Sequence, residues 1–243
     1  MGTHRIHLDP IPAGGVVAVE GDEAHHAVRV KRLEAGETVE LLDGRGGVAR
    51  GRVREGIKAG RGWRLMVEVA SRRVEARPRP IVHVLASAPK GERLHDMIAG
   101  LSQVGAASWS PLGSERTVVR PREGKLERLG HVAIESMKQC GRAWVLEIGE
   151  AVRVEAAMGR PGLVVADASG RPYGHETGDE FTLIIGPEGG LTPAEVEALT
   201  RAGAKVASFG RHVMRTEVAA VVGAGVMLHL AGVASGGDTM TPC

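Results

Sequence analysis

The chain has 243 residues, of which 43% are hydrophobic and 25% charged, with a net charge of +2. That suits one large or two modest folded domains and argues against a disordered or fibrous chain. No run of about 18 apolar residues occurs, the N-terminal MGTHRIHLDP lacks a signal-peptide core, and two cysteines (Cys140, Cys243) argue against a disulfide framework or structural zinc site. A cytoplasmic protein is expected.

Residues 1–80 carry 15 Lys+Arg against 11 Asp+Glu, whereas the remainder carries 16 against 18. The front third is therefore the basic part. It either attracts a polyanion or is an ordinary solvated surface. Within it, GVVAVE, ETVELLDG, GVARGRVRE and WRLMVEVA are short alternating runs punctuated by turn residues such as DGRGG. They predict a small β-barrel over residues 1–72. One helix, DEAHHAVRVKRL, interrupts it, with Asp22 as N-cap and EAG at its end.

SRRVEARPRP, residues 71–80, has four arginines, two prolines and no apolar period, and reads as an extended linker. We place the linker proper at residues 73–80. Beyond Pro80, IVHVLASA is a continuous apolar run of the kind buried parallel strands show. Leu94, Met97, Ile98, Leu101 and Val104 then recur at helical spacing, as do Leu126, Leu129, Ala133, Met137 and Cys140. GLVVADA, FTLIIG and KVASFG read as further buried strands, with the helices PAEVEALTRAG and TEVAAVVGAGVMLHLAG between and after them. Such alternation predicts an α/β domain over residues 81–234, a parallel sheet with helices on both faces. Residues 235–243 are small and polar and are expected to form a flexible tail.

IIGPEGGLTPAEVE, residues 184–197, has the outline of a phosphate loop, but its chemistry does not fit one. Thr192, Pro193 and Glu195 spell an N-cap, N1 and capping box, so the helix's free N–H groups are partly used by its own side chains. Glu188 and Glu195 would both repel a phosphate. Two readings stand: the glycines make a strand-to-helix turn, or they let backbone approach a ligand. SFGRHVMRTEVAAVVG repeats the pattern after the next strand, with Thr216 as cap and Arg211 and Arg215 beside the loop. In a parallel sheet both loops fall at strand carboxyl ends, where ligands bind.

IIGPEGGLTPAEVE with GRHVMRTEVAA resembles the C-terminal signature of SPOUT-class RNA methyltransferases. It is most similar to the RsmE-type enzymes, which methylate N3 of a uridine in small-subunit (16S) ribosomal RNA. HHAVRVKRLEAGETVELLDGRGGVARGRV resembles their PUA-like barrel, SPLGSERTVV their Ser-Glu-Arg segment, and KQCGR the end of their Glu-Gln-Ser-x-Arg helix. The resemblance covers nearly the whole chain. It departs at Gln103-Val104-Gly105 (usually Glu-Leu-Gly), at Lys138 (usually Glu) and at Val218 (usually Thr).

The resemblance implies S-adenosylmethionine as cofactor, a trefoil knot, a homodimer, and 16S ribosomal RNA or the small ribosomal subunit as partner. Neither metal nor membrane is implied. Carried over by motif, Gly186, Pro187, Glu188, Gly189 and Gly190 form one cofactor wall. Phe209, Gly210, Val213, Met214 and Arg215 form another, and Ala166 supplies a third contact. Met214 reads equally as core filler. Uracil N3 must lose its proton before it attacks a methyl group, leaving negative charge that an arginine stabilises. Arg215 is the first choice for that arginine, then Arg142 and Arg116; Glu217 reads as a base or as a helix-start residue. Arg29, Lys31, Arg32, Arg72, Arg73, Arg77, Arg79, Arg120, Arg122 and Lys125 are either phosphate contacts or solvated charges. His25-His26 lacks a third ligand and does not share a helix face, so no metal site is read there. Another RNA target, or a non-catalytic RNA-binding assembly factor, are the alternative readings. If the glycine backbone touches the cofactor, Gly189→Val should abolish its binding.

Overall fold

The computed structural model describes residues 3–174 and 176–234, with side chains up to residue 230. The tail expected at residues 235–243 lies outside the described residues. The chain divides into two compact units: residues 1–77 with 137–145, and residues 78–136 with 146–243.

The first unit is built on a five-stranded sheet. β1 (His4–His7) runs parallel to β3 (Thr38–Leu42). β3, β4 (Gly47–Ala59), β5 (Gly62–Val74) and β2 (Gly15–Val19) pair antiparallel in that order. Ile6, Val39, Leu41, Val53, Leu65 and Val67 fill its core. The four alternating runs are all strands, but the sheet is open: β1 and β2 are its edges and, among the described residues, no ladder joins them. The expected barrel is corrected in that respect. β1 has only four residues, too few to show a period.

The predicted helix is shorter and differently made. α1 (Gly21–His25) runs directly into a π-helical turn, His26–Val30, with Glu20 rather than Asp22 at the N-cap and no side-chain cap bond. Ala24 and Ala27 are its buried residues. The turn is followed by Arg32 at φ 55, a left-handed residue that stops the helix before EAG. β5 continues through Val74, so residues 71–74 are strand and the irregular segment begins at Glu75. Segment 137–145 joins this unit through specific bonds. Arg5 Nη1 donates to the Lys138 and Gln139 carbonyls at 3.0 and 3.1 Å, and Trp144 Nε1 donates to the Glu75 carbonyl at 3.1 Å.

The second unit is the expected parallel sheet. Its order is β12 (Lys205–Ser208), β10 (Leu163–Pro172), β11 (Glu180–Ile185), β6 (Ile81–Ala86), β7 (Ser108–Gly113), β8 (Glu147–Ile148), with β9 (Val152–Arg153) also on β7. Every pairing is parallel. The helices are α2 (Arg93–Val104), α3 (Glu123–Cys140, whose last turn belongs to the first unit), α4 (Val154–Ala157), α5 (Pro193–Arg201) and α6 (Thr216–Ala234). Successive strand residues point to opposite faces. Leu183 meets α6 at Gly223, while Ile184 clusters with Leu199 of α5 and Val154 of α4, so both faces are covered. α2 and α6 approach closely because Gly100 leaves room for Val221: a Cβ there would stand 2.7 Å from it.

Candidate functional site

β10 lies between β11 and β12, and its register pairs Ala166 with both Ile185 and Ala207. β11 and β12 therefore end beside Ala166, where β10 bulges before pairing with β12 again at Arg171, and the segments there enclose a cleft of about 210 Å³. Of the residues carried over by motif, the structure brings Ala166, Gly186, Pro187, Glu188, Gly190, Phe209, Gly210, Val213 and Met214 together along it. Asp167, Ala168, Leu191, Ser208 and His212 line it as well.

The loop after β11 is a tight turn, with the Gly190 N–H donating to the Pro187 carbonyl at 2.8 Å. Gly190 sits at φ +69, where a side chain is strained, and a Cβ on Gly186 would stand 2.9 Å from the Leu191 nitrogen. Gly189 does not line the cleft. Its carbonyl accepts from Arg116 Nη1 at 2.6 Å, and a Cβ there would meet only the Arg116 Cδ at 3.5 Å. Steric exclusion by a side chain at 189 is therefore not expected; Gly186 is the crowded position. The capping box is present as read: the Thr192 N–H donates to Glu195 Oε2 at 2.8 Å and the Glu195 N–H to Thr192 Oγ1 at 3.3 Å. Glu195 Oε1 also accepts the Glu115 N–H at 2.8 Å, tying in the loop after β7.

The second glycine loop is held differently from its expected capping. Thr216 is the first helical residue, and its hydroxyl donates to the Gly186 carbonyl at 3.3 Å, stitching the two loops together. Arg215 is exposed and outside the cleft lining; its carbonyl takes the Ala219 N–H at 2.8 Å. Glu217 is nine-tenths buried, with Oε2 lacking a hydrogen-bond partner. Its Oε1 lies 3.8 Å from Arg93 Nη1, which is also 3.7 Å from Glu188 Oε1. Phe209 stacks on Tyr173 at a ring separation of 5.0 Å. Burial, then the charge of Glu176, pushes the Tyr173 phenol up to about 12. Asp167 closes its own turn, its Oδ1 accepting from the Ser169 N–H at 2.8 Å and hydroxyl at 2.6 Å.

Of the arginines singled out, Arg116 and Arg215 belong to the second unit and Arg142 to the first, where burial pushes its guanidinium below the usual range. In the first unit, Arg29 lies 5.5 Å over the Trp63 ring and Arg73 is paired with Glu75 at 2.8 Å. Lys31, Arg32 and Arg72 are exposed, as are Arg120 and Arg122 in the second unit. Arg77 lies 5.4 Å over Trp144, and Arg79 pairs with Asp179 at 3.4 Å. Lys138, where the family usually has Glu, is buried and bonded to Glu23 at 2.6 Å. Among the described residues, no group of three or more His, Cys, Asp or Glu is arranged to hold a metal, and no helix is long and apolar enough to cross a membrane.

One chain thus carries a parallel sheet with a glycine-loop cleft at its strand ends and a smaller β unit. The family described as RNA methyltransferase domain matches residues 76–228, and the RNA methyltransferase PUA domain matches residues 19–58. The chain belongs to the ribosomal RNA small subunit methyltransferase E family. The member from Mycobacterium bovis is 34% identical over 91% of this chain and 89% of its own length. Among solved structures, a chain from Legionella pneumophila with the cofactor SAM bound is 25% identical, with a TM-score of 0.81, covering 93% of this chain and 97% of its own. A chain from Porphyromonas gingivalis is 27% identical, with a TM-score of 0.80, covering 95% and 99%.

Proposed function

We propose that this chain transfers a methyl group from S-adenosylmethionine to N3 of a uridine in the 16S RNA of the small ribosomal subunit. The observation that carries the reading is the chemistry of the cleft lining. Among the described residues it holds two carboxylates, Asp167 and Glu188, an aromatic wall at Phe209, and neither Lys nor Arg. A nucleotide phosphate would meet like charge there; a ligand bearing a sulfonium and an ammonium group meets opposite charge. The flat, apolar face of Phe209, backed by Tyr173, suits an adenine ring. The relatives' description as small-subunit ribosomal RNA methyltransferases, and the SAM bound in the Legionella structure, support the same assignment.

S-adenosylmethionine, when bound, supplies a methyl carbon already activated by its sulfonium. The chain supplies position. Gly186 and Gly190 shape a backbone wall, Arg116 fixes that wall from outside through the Gly189 carbonyl, Thr216 ties it from within the cleft lining through the Gly186 carbonyl, and Met214 and Val213 line the apolar side. Arg29, Lys31, Arg32 and Arg72 are assigned to RNA phosphates, with Arg120 and Arg122 as a further strip. The reading includes a trefoil knot through the three loops and a homodimer; sedimentation at a monomer mass contradicts the latter. Calorimetric titration with S-adenosylmethionine tests the cofactor assignment: saturable binding is expected, and none would remove the enzymatic reading.

A further inference from the structure

The Pro187–Glu188 wall has a second pocket on it. This pocket, of about 220 Å³, shares those two residues with the cleft. Ser87 at the end of β6, Lys90 and Arg93 leading into α2, and Thr117 and Val119 from the loop after β7 complete it. The other described pockets, around Arg120–Arg153 and around Phe181–Lys205, share no residue with the cleft.

The two adjoining pockets differ in charge. Among the described residues the cleft has two carboxylates, Asp167 and Glu188, and neither Lys nor Arg; its neighbour shares Glu188 and adds two cations, Lys90 and Arg93. The two cations are not equivalent. Arg93 faces Glu188 at 3.7 Å and Glu217 at 3.8 Å, so its charge is largely offset, and it is the only cation paired with the buried Glu217 carboxylate among the described residues. Lys90 is exposed and makes no ion pair among the described residues, so its charge is uncompensated. A methyl acceptor must abut the methyl donor, and a uracil losing its N3 proton needs a cation for the charge spreading onto its flanking carbonyl oxygens.

We propose that this pocket receives the acceptor uracil, with Lys90 facing the negative charge that develops on the base and Arg93 positioning the shared wall. The proposal rests on the methyl-acceptor reading above. The uracil nitrogen releases its proton to solvent, and its lone pair forms the N–CH3 bond. The carbon–sulfur bond breaks, its electron pair passing to sulfur, which becomes a neutral thioether. Lys90 exchanges no proton with the base and acts on the carbonyl oxygens through its charge.

The test compares full-length Lys90→Met, Lys90→Arg and Arg93→Ala on small ribosomal subunits from a strain lacking the modification. Cofactor binding is followed separately by calorimetry. Lys90→Met is expected to lower kcat about 100-fold, with the cofactor Kd within about twofold of wild type. Lys90→Arg recovers most of the rate. The Lys90→Met deficit narrows as pH rises, because hydroxide increasingly removes the N3 proton without the lysine's help. Arg93→Ala instead weakens cofactor binding about tenfold, the loss of roughly 1.4 kcal/mol of wall positioning. A wild-type kcat in Lys90→Met, a loss that does not change with pH, or a weakened cofactor Kd in Lys90→Met overturns the assignment. Mass mapping of the wild-type product separates the two levels. If it is not 3-methyluridine, the acceptor reading itself fails; if it is and Lys90→Met runs at full rate, only the pocket assignment fails.

Discussion

A Cβ on Gly186 would stand 2.9 Å from the Leu191 nitrogen and 3.1 Å from the Gly190 carbonyl carbon, and backbone on both sides cannot yield cheaply. Gly186→Ala should therefore distort the loop at a cost of about 1–3 kcal/mol and weaken S-adenosylmethionine binding at least tenfold by calorimetry. Gly189→Ala has only the Arg116 Cδ at 3.5 Å to meet and should bind within about twofold of wild type. Equal losses in the two variants would contradict this ranking. The sequence marks all three glycines alike; only the turn geometry separates the one that is crowded from the one whose carbonyl is simply held. Tyr173 carries no sequence signal either, because its role depends on stacking with a residue far along the chain. Its phenol ordinarily titrates at 10.0 and is pushed up to about 12 in the fold. The folded state thus holds the proton more tightly. Stability from this group is complete below pH 10.0 and is lost as pH rises toward about 12. Thermal melts across that window should show wild type falling faster than Tyr173→Phe; parallel slopes would contradict it.

At the scale of elements, the buried runs IVHVLASA, GLVVADA, FTLIIG and KVASFG are legible because a strand covered on both faces must be apolar throughout. β7 is not, since Pro111 and Gly113 make SPLG look like a turn, although Trp109 and Leu112 are fully buried. The capping box is legible from local spacing alone. Thr192→Ala removes the acceptor for the Glu195 N–H and should cost about 1 kcal/mol in thermal or urea unfolding. Segment 137–145 is not legible as part of the first unit, because what assigns it is tertiary. Lys138 is buried against Glu23 at 2.6 Å, and Arg5 holds two of the segment's carbonyls. Glu23→Gln should destabilise by roughly 1–3 kcal/mol, below the cost of breaking a fully buried pair because Glu23 is partly exposed. An unchanged unfolding midpoint would mean that Lys138 finds its compensation elsewhere.

For the whole molecule, a more basic first third and a following alternation of buried strands and helices are visible in charge and periodicity alone. The closure of the front sheet is not, because a run of alternating strands is equally compatible with a closed barrel and an open sheet; edge pairing decides. In the rear unit, Glu188 and Glu195 argue against a phosphate site from the sequence, and among the described residues the cleft lining holds carboxylates and neither Lys nor Arg. That chemistry leads to the central claim, which is most directly tested by incubating the protein with S-adenosylmethionine and small subunits from a strain lacking the modification, then mapping the methyl group by mass spectrometry. The expected result is a single 3-methyluridine in 16S ribosomal RNA. A methyl group on any other atom, or no transfer at all, would contradict it.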